Sequence, residues 1–196
     1  MLFDTLVLIA RALNEADVHW GVGASVLLYY YGLVEAPHDI DIMISEGDAD
    51  MVASILGDLG REAPGDPARS LYSTSRFLEY IVDGTDVDVM AGLAVRHDSG
   101  TYVFPFDVQS VTMKKNVDGA MIPFTSLEDW YVLYQLIPGR ETKVKLIEDH
   151  LRSGSVLDVA LLERALARQL PLDVRTRIEG FLTAYRLDLS SSRRRE

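Results

Sequence analysis

In the segment Asp39-Ile40-Asp41-Ile42-Met43-Ile44, apolar residues recur at every second position. That period belongs to a β-strand, in which successive side chains point to opposite faces. Ile40, Ile42 and Ile44 then face a core, while Asp39 and Asp41 share the other face. Two carboxylates held side by side repel, and a shared proton or a cation relieves that cost. A hard divalent ion such as Mg2+ is held by one or two carboxylates together with phosphate oxygens of a substrate. Upstream, Gly23-Ala24-Ser25 is a small-residue turn opening an apolar run that meets no breaker until Gly32. A turn of this kind, feeding a helix N-terminus, offers backbone N–H donors and the positive end of the helix dipole, which suits a polyphosphate. The spacing therefore predicts turn, helix, loop and strand over residues 21–45.

The rest of the chain supplies the elements around this segment. Leu6, Leu8, Ile9 and Leu13 recur at helical spacing and predict a helix over residues 2–15. Residues 17–21 read as a first strand that delivers the chain to the Gly23 turn. Residues 46–59 read as a helix with Met51, Ile55 and Leu56 inward, closed by Gly57 and Gly60. A loop with two prolines and a glycine fills residues 61–70. Two strands over 72–82 and 85–90 then flank Asp83-Gly84, a strong hairpin signal. In the second arm Asp86 and Asp88 share one face. Which of them lies against Asp39 and Asp41 is left open by the sequence; Asp88 is preferred for its apolar neighbours and its deeper place in the strand.

Short strands are expected at 102–106, 110–113 and 120–124. At Thr125 the pattern changes, because Thr-Ser-Leu-Glu-Asp is a capping box opening a helical run. Further helices are expected over 141–151, 156–170 and 172–187. The reading is an α/β domain over residues 1–124, a helical domain over 125–187 and a disordered tail over 188–196.

Charge narrows the partners. Thirty acidic residues against 19 basic ones give a formal charge of −11. Such a field repels a phosphate backbone, so a nucleic-acid polymer is a poor partner. A nucleotide clamped by metal ions remains compatible. With no Cys there is neither a disulfide nor a thiolate metal site, and a cytoplasmic location is expected. The N-terminal stretch carries an early Asp and no basic cluster, and reads as a helix, not a signal peptide. No apolar run approaches the ~20 residues needed to cross a bilayer, so no membrane partner is expected. Oligomeric state is not legible.

Small-residue turn, helix, hydrophobic-Asp-hydrophobic-Asp-hydrophobic strand, then one more strand carboxylate: this order resembles the DNA polymerase beta type nucleotidyltransferase superfamily. Within it, the small stand-alone nucleotidyltransferases, which include antibiotic-modifying and toxin-type members, look closest. The resemblance spans roughly residues 20–90, with a weaker echo to about 150. It implies an α+β fold: a nucleotidyltransferase-like mixed sheet with flanking helices, followed by a C-terminal helical bundle. It implies that Gly23, Ala24 and Ser25 bind the nucleotide, and that Asp39, Asp41 and Asp88 are catalytic and hold two Mg2+ ions. The implied reaction moves a nucleoside monophosphate from a nucleoside triphosphate such as ATP to a hydroxyl on a small molecule or protein.

The chain departs from the family pattern in three places. Ala24 stands where a second Gly or a Ser is usual, and Glu35-Ala36-Pro37-His38 lacks the basic residue often found before the first Asp. In the helical half, Gly139-Arg140-Glu141-Thr142-Lys143 resembles the family's basic pair, and Arg140 and Lys143 are candidates for touching the nucleotide; Val144 replaces the acidic residue that often follows. Two other readings use the same residues: a catalytically silent nucleotide- or partner-binding member of the fold, and a metal-dependent phosphoester or nucleotide hydrolase with water as nucleophile.

Overall fold

A computed structural model describes residues 1–64, 71–153 and 157–192. Helix α1 (Leu2–Glu15) buries Leu6, Ile9, Ala10 and Leu13. Leu8 falls off that stripe and is 37% exposed. Thr5 falls on it instead, and its hydroxyl lies 3.2 Å from that of Thr85. Strand β1 (Trp20–Val22), helix α2 (Ala24–Tyr30) and strand β2 (Ile40–Ile44) follow. A single 3-10 turn, Glu46–Asp48, leads into α3 (Ala49–Leu59). There Ala49, Val52 and Leu56 are buried. Met51, expected to face inward, is 43% exposed, because residues 49, 52 and 56 define the inner stripe at i, i+3, i+7 spacing.

After the short β3 (Arg61–Glu62), strands β4 (Arg76–Val82) and β5 (Thr85–Ala91) form the expected hairpin. Both turn residues are left-handed, Asp83 with φ 48° and Gly84 with φ 76°, as a two-residue I′ turn requires. Strand β4 begins at Arg76 and not at Tyr72. Strands β6 (Ala94–His97) and β7 (Gly100–Val103) form a second, two-stranded sheet, and Val95 of β6 also makes an isolated antiparallel bridge to Tyr72. The strand expected over 102–106 covers only the end of β7. Strands β8 (Val111–Val117) and β9 (Ala120–Thr125) complete the main sheet.

The main sheet has seven strands in the order β3-β4-β5-β2-β1-β9-β8. It is mixed: β2 runs parallel to β5 and antiparallel to β1, and β1 runs parallel to β9. Strand β2 is therefore central. Its two faces are unlike. On one, Val87 pairs with Ile40 and with Tyr80, whose hydroxyl donates to the Ala53 carbonyl of α3 at 3.1 Å. Thr85 of the same face meets α1. On the other face lie Asp41, Asp88 and Met90.

That second face is covered by α4 (Leu127–Leu136), whose residues are all buried except Gln135. A helix buried all round must sit inside the protein, and α4 packs on α2 and on the three helices that follow, α5 (Glu141–Arg152), α6 (Val159–Leu166) and α7 (Leu172–Ser192). Ser126 caps it, accepting from the Asp129 N–H at 3.0 Å. The reciprocal half of the expected capping box is replaced by an ion pair: Asp129, 1% exposed in its side chain, lies 3.2 Å from Arg164 of α6. The α+β architecture expected from the sequence is the one observed. Helix α7 extends through Ser192, into the stretch expected to be a tail, and residues 193–196 lie outside the described residues. Among the described residues, no helix is long and apolar enough to cross a membrane.

Candidate active site

The parallel pairing of β2 with β5 sets Asp41 directly opposite Asp88. Paired residues share a face, so the two carboxylates project to the same side of the sheet. Asp86 lies two residues earlier on β5, exposed and opposite Ile81. Asp39 precedes the first residue of β2, and its Oδ1 accepts from the Ser25 hydroxyl at 3.0 Å. Asp39, Asp41 and Asp88 line one cleft of about 310 Å3, together with Ala24 and Ser25.

The turn that carries Ser25 is fixed from behind. The Gly23 N–H donates to the Asp41 carbonyl at 2.9 Å, so this amide is committed to the sheet. A β-carbon on Gly23 would lie 2.3 Å from Cζ2 of Trp130. Gly23 is thus required by packing, and it is not among the described residues lining the cleft. Trp130 is held in turn: its Nε1 donates to the Thr125 hydroxyl at 2.9 Å, which donates to the Val22 carbonyl at 3.0 Å. Ala24, where the family pattern favours Gly or Ser, has φ 45°. That is the left-handed region, which glycine enters freely and alanine does not.

The opposite wall comes from α4 and α5. Tyr134, Arg140 and Lys143 line the same cleft as the carboxylates. Lys143 Nζ donates to the Tyr134 hydroxyl at 3.4 Å and lies 5.0 Å from the ring centroid. Burial, reinforced by Asp41, pushes the Tyr134 phenol up, so it stays protonated. Burial first, and then the neighbouring Arg140, lowers the Lys143 pKa, while Asp41 and Asp39 raise it. Arg140 and Lys143 stand three residues apart around the start of α5, a spacing that places both on one side of a helix turn. The Gly-Arg signal located this pair in the sequence. Tyr134 and Trp130 carry no such signal, since aromatic residues in an apolar helix read as core.

The donor set suits hard cations. Asp41 and Asp88 present carboxylate oxygens from neighbouring strands, with Asp39 at the mouth of the same cleft. Among the described residues, no group of three or more His, Asp or Glu side chains is gathered as a ready-made metal cage. Mg2+ does not require one, since it binds through one or two carboxylates plus substrate phosphates.

Comparison with known proteins places the chain in a family. A model of the aminoglycoside-2''-adenylyltransferase family matches residues 5–152. No curated protein matches the chain. Among solved structures, a candidate nucleotidyltransferase from Thermotoga maritima is 26% identical, with a TM-score of 0.56 over 76% of this chain and 92% of that one. The lincosamide antibiotic adenylyltransferase LnuA, bound to lincomycin, is 16% identical, with a TM-score of 0.51 over 74% of this chain and 95% of its own. ANT(2'')-Ia in complex with adenylyl-2''-tobramycin is 15% identical, with a TM-score of 0.52 over 92% and 99%. The last two likenesses concern the fold. With the family model covering most of its length, this chain is a nucleotidyltransferase and belongs to the aminoglycoside-2''-adenylyltransferase family.

Proposed function

We propose that the protein transfers a nucleoside monophosphate, AMP from ATP in the first instance, to a hydroxyl of a small molecule, with Mg2+ and in the cytoplasm. The observation that carries this reading is the pairing of Asp41 with Asp88 in a cleft whose far wall holds Arg140 and Lys143. Anionic residues that suit metal ions thus face cationic residues that suit a triphosphate.

Asp39 and Asp41 would hold two ions, and Asp88 would complete the one nearer the acceptor. Bound there, Mg2+ supplies two effects: it lowers the pKa of the attacking hydroxyl and screens charge on the leaving pyrophosphate. The chain's own groups do the rest. Asp88 takes the proton of the acceptor hydroxyl as its oxygen bonds to the α-phosphorus. The bond from that phosphorus to the bridging oxygen breaks, and its electron pair leaves with pyrophosphate. Arg140 and Lys143 balance the charge of the triphosphate tail, and Ser25 on the Gly23-Ala24-Ser25 turn donates to it. These contributions are positional and electrostatic. In this scheme residues 1–124 carry the chemistry, and the helical part from 125 to 187 closes the cleft.

Mass spectrometry tests the reading. The protein is incubated with ATP, Mg2+ and a panel of hydroxylated acceptors that includes tobramycin and lincomycin. An acceptor gaining the mass of AMP, with pyrophosphate released and both lost in Asp88→Asn, is the expected result. Phosphate or AMP formed equally well without any acceptor contradicts it and favours a hydrolase.

A further inference from the structure

We infer that a second small-molecule site lies behind the active-site cleft and takes a primary amine with a compact apolar body. The last turn of α4 and the first turns of α5 and α7 border a cavity of about 420 Å3. Tyr134 and Ile137 line both this cavity and the cleft, so they form the wall between the two. Gln135, the one residue of α4 that is not buried, lines only the cavity behind. Its Nε2 donates to the Tyr131 carbonyl at 3.0 Å. That bond fixes the amide, because the reverse orientation would set two oxygens against each other. Its Oε1 is buried, and no group among the described residues donates to it. A buried acceptor left unmade is costly and calls for a donor from outside the chain.

The charges around the cavity make that donor a cation. Glu141 and Asp173, both exposed, bring carboxylates to its rim from the first turns of α5 and α7. Each helix end carries only about half an elementary charge, so two full carboxylates leave the rim negative. Arg177 is the one basic residue among the described lining residues, and its guanidinium is spent on Glu148, which accepts from Nε at 2.9 Å and from Nη2 at 2.8 Å. An ammonium group offers three donors and no acceptor, and between Gln135 and the rim carboxylates it avoids the cost of a charge buried unpaired. The buried Leu136, Val144 and Val174 give the apolar body its contact surface. The overall charge of −11 draws such a cation in from long range. This site stands independently of the transfer reaction.

Calorimetric titration of the whole protein without nucleotide tests this, using cyclohexylmethylamine and its uncharged counterpart cyclohexylmethanol. The amine is expected to bind about tenfold tighter than the alcohol, and Gln135→Leu and Asp173→Asn each to remove about that factor. Repeating the titration with Mg2+ and a non-hydrolysable ATP analogue present should leave amine binding unchanged. Failure of the amine to bind, equal binding of the alcohol, or full amine affinity in both variants overturns the inference. So does displacement of the amine by the ATP analogue, because the amine then sits in the cleft. Should Gln135→Leu fail to fold, the exposed Asp173→Asn and the ranking of the two probes decide.

Discussion

Gly23 and Trp130 are locked together: the indole occupies the space a side chain on Gly23 would need, 2.3 Å from the position of its β-carbon. The glycine that opens the turn is therefore tied to the helical part through packing. Its φ is −126°, so an alanine there meets no backbone strain, only the ring. Gly23→Ala should cost about 1–3 kcal/mol of stability, the usual range for overpacking. Replacing Trp130 by a smaller apolar residue should cancel part of that cost. Urea denaturation of the two single variants and the double variant measures the coupling, expected at about 0.5–3 kcal/mol for residues in contact.

One residue later the sign reverses. Ala24 holds φ 45°, and Ala24→Gly relieves a left-handed conformation that costs an L-residue about 1–2 kcal/mol. Part of that gain is offset by the greater freedom of glycine in the unfolded chain. The expected result is a rise in thermal midpoint with nucleotide affinity retained.

Asp129 gives the protein a pH dependence. Burial pushes its carboxyl up to about 6 from an ordinary value of 3.8, although Arg164 and Ser126 both favour the charged form. A carboxyl raised on folding holds its proton in the native state after the unfolded chain has released it. Stability from this group is thus complete below pH 3.8 and is lost as the pH climbs to about 6. Asp129→Asn should flatten the stability profile in that window, with a change on the order of 3 kcal/mol. Arg164→Met at pH 7 should be the more damaging change, by about 3–5 kcal/mol, since it leaves a buried carboxylate uncompensated. Denaturation at pH 4.5 and pH 7 separates the two effects.

Lys143 lines the cleft with the three carboxylates, and the proposed transfer assigns it to the triphosphate tail. Lys143→Gln should raise the KM for ATP about tenfold with a smaller effect on kcat, the size expected for one hydrogen bond to a charged group. Because its pKa is lowered by burial and by Arg140, the KM should begin to rise with pH earlier than an ordinary lysine would allow. A pH profile of KM for the wild type against Lys143→Arg checks this.

Much of the central region was legible in the sequence, and the reasons are local. Strand β2 follows from the alternation through Ile40, Ile42 and Ile44, and the β4–β5 hairpin from Asp83-Gly84, because both signals lie within a few residues. Asp88 opposite Asp41 needed one long-range fact, the parallel pairing of β2 with β5, that no local pattern encodes. The small β6–β7 sheet leaves little local trace because its strands are four residues each, and the strand expected over 102–106 meets only the end of β7. Met51 and Leu8 were misjudged because apolar spacing marks a stripe but not its edges. The purpose of Gly23 was hidden for a deeper reason: its constraint comes from Trp130, more than a hundred positions away.

The shared use of Asp41 and Asp88 is the claim on which the mechanism stands. Its most direct test is the rate of Mg2+-dependent pyrophosphate release from ATP, with acceptor, in the wild type, Asp41→Asn, Asp88→Asn and the double variant. Two groups acting on one reaction centre predict that each single change lowers the rate on the order of 100-fold and that the double change lowers it little further. Full activity in Asp88→Asn, or losses that simply multiply in the double variant, would contradict it.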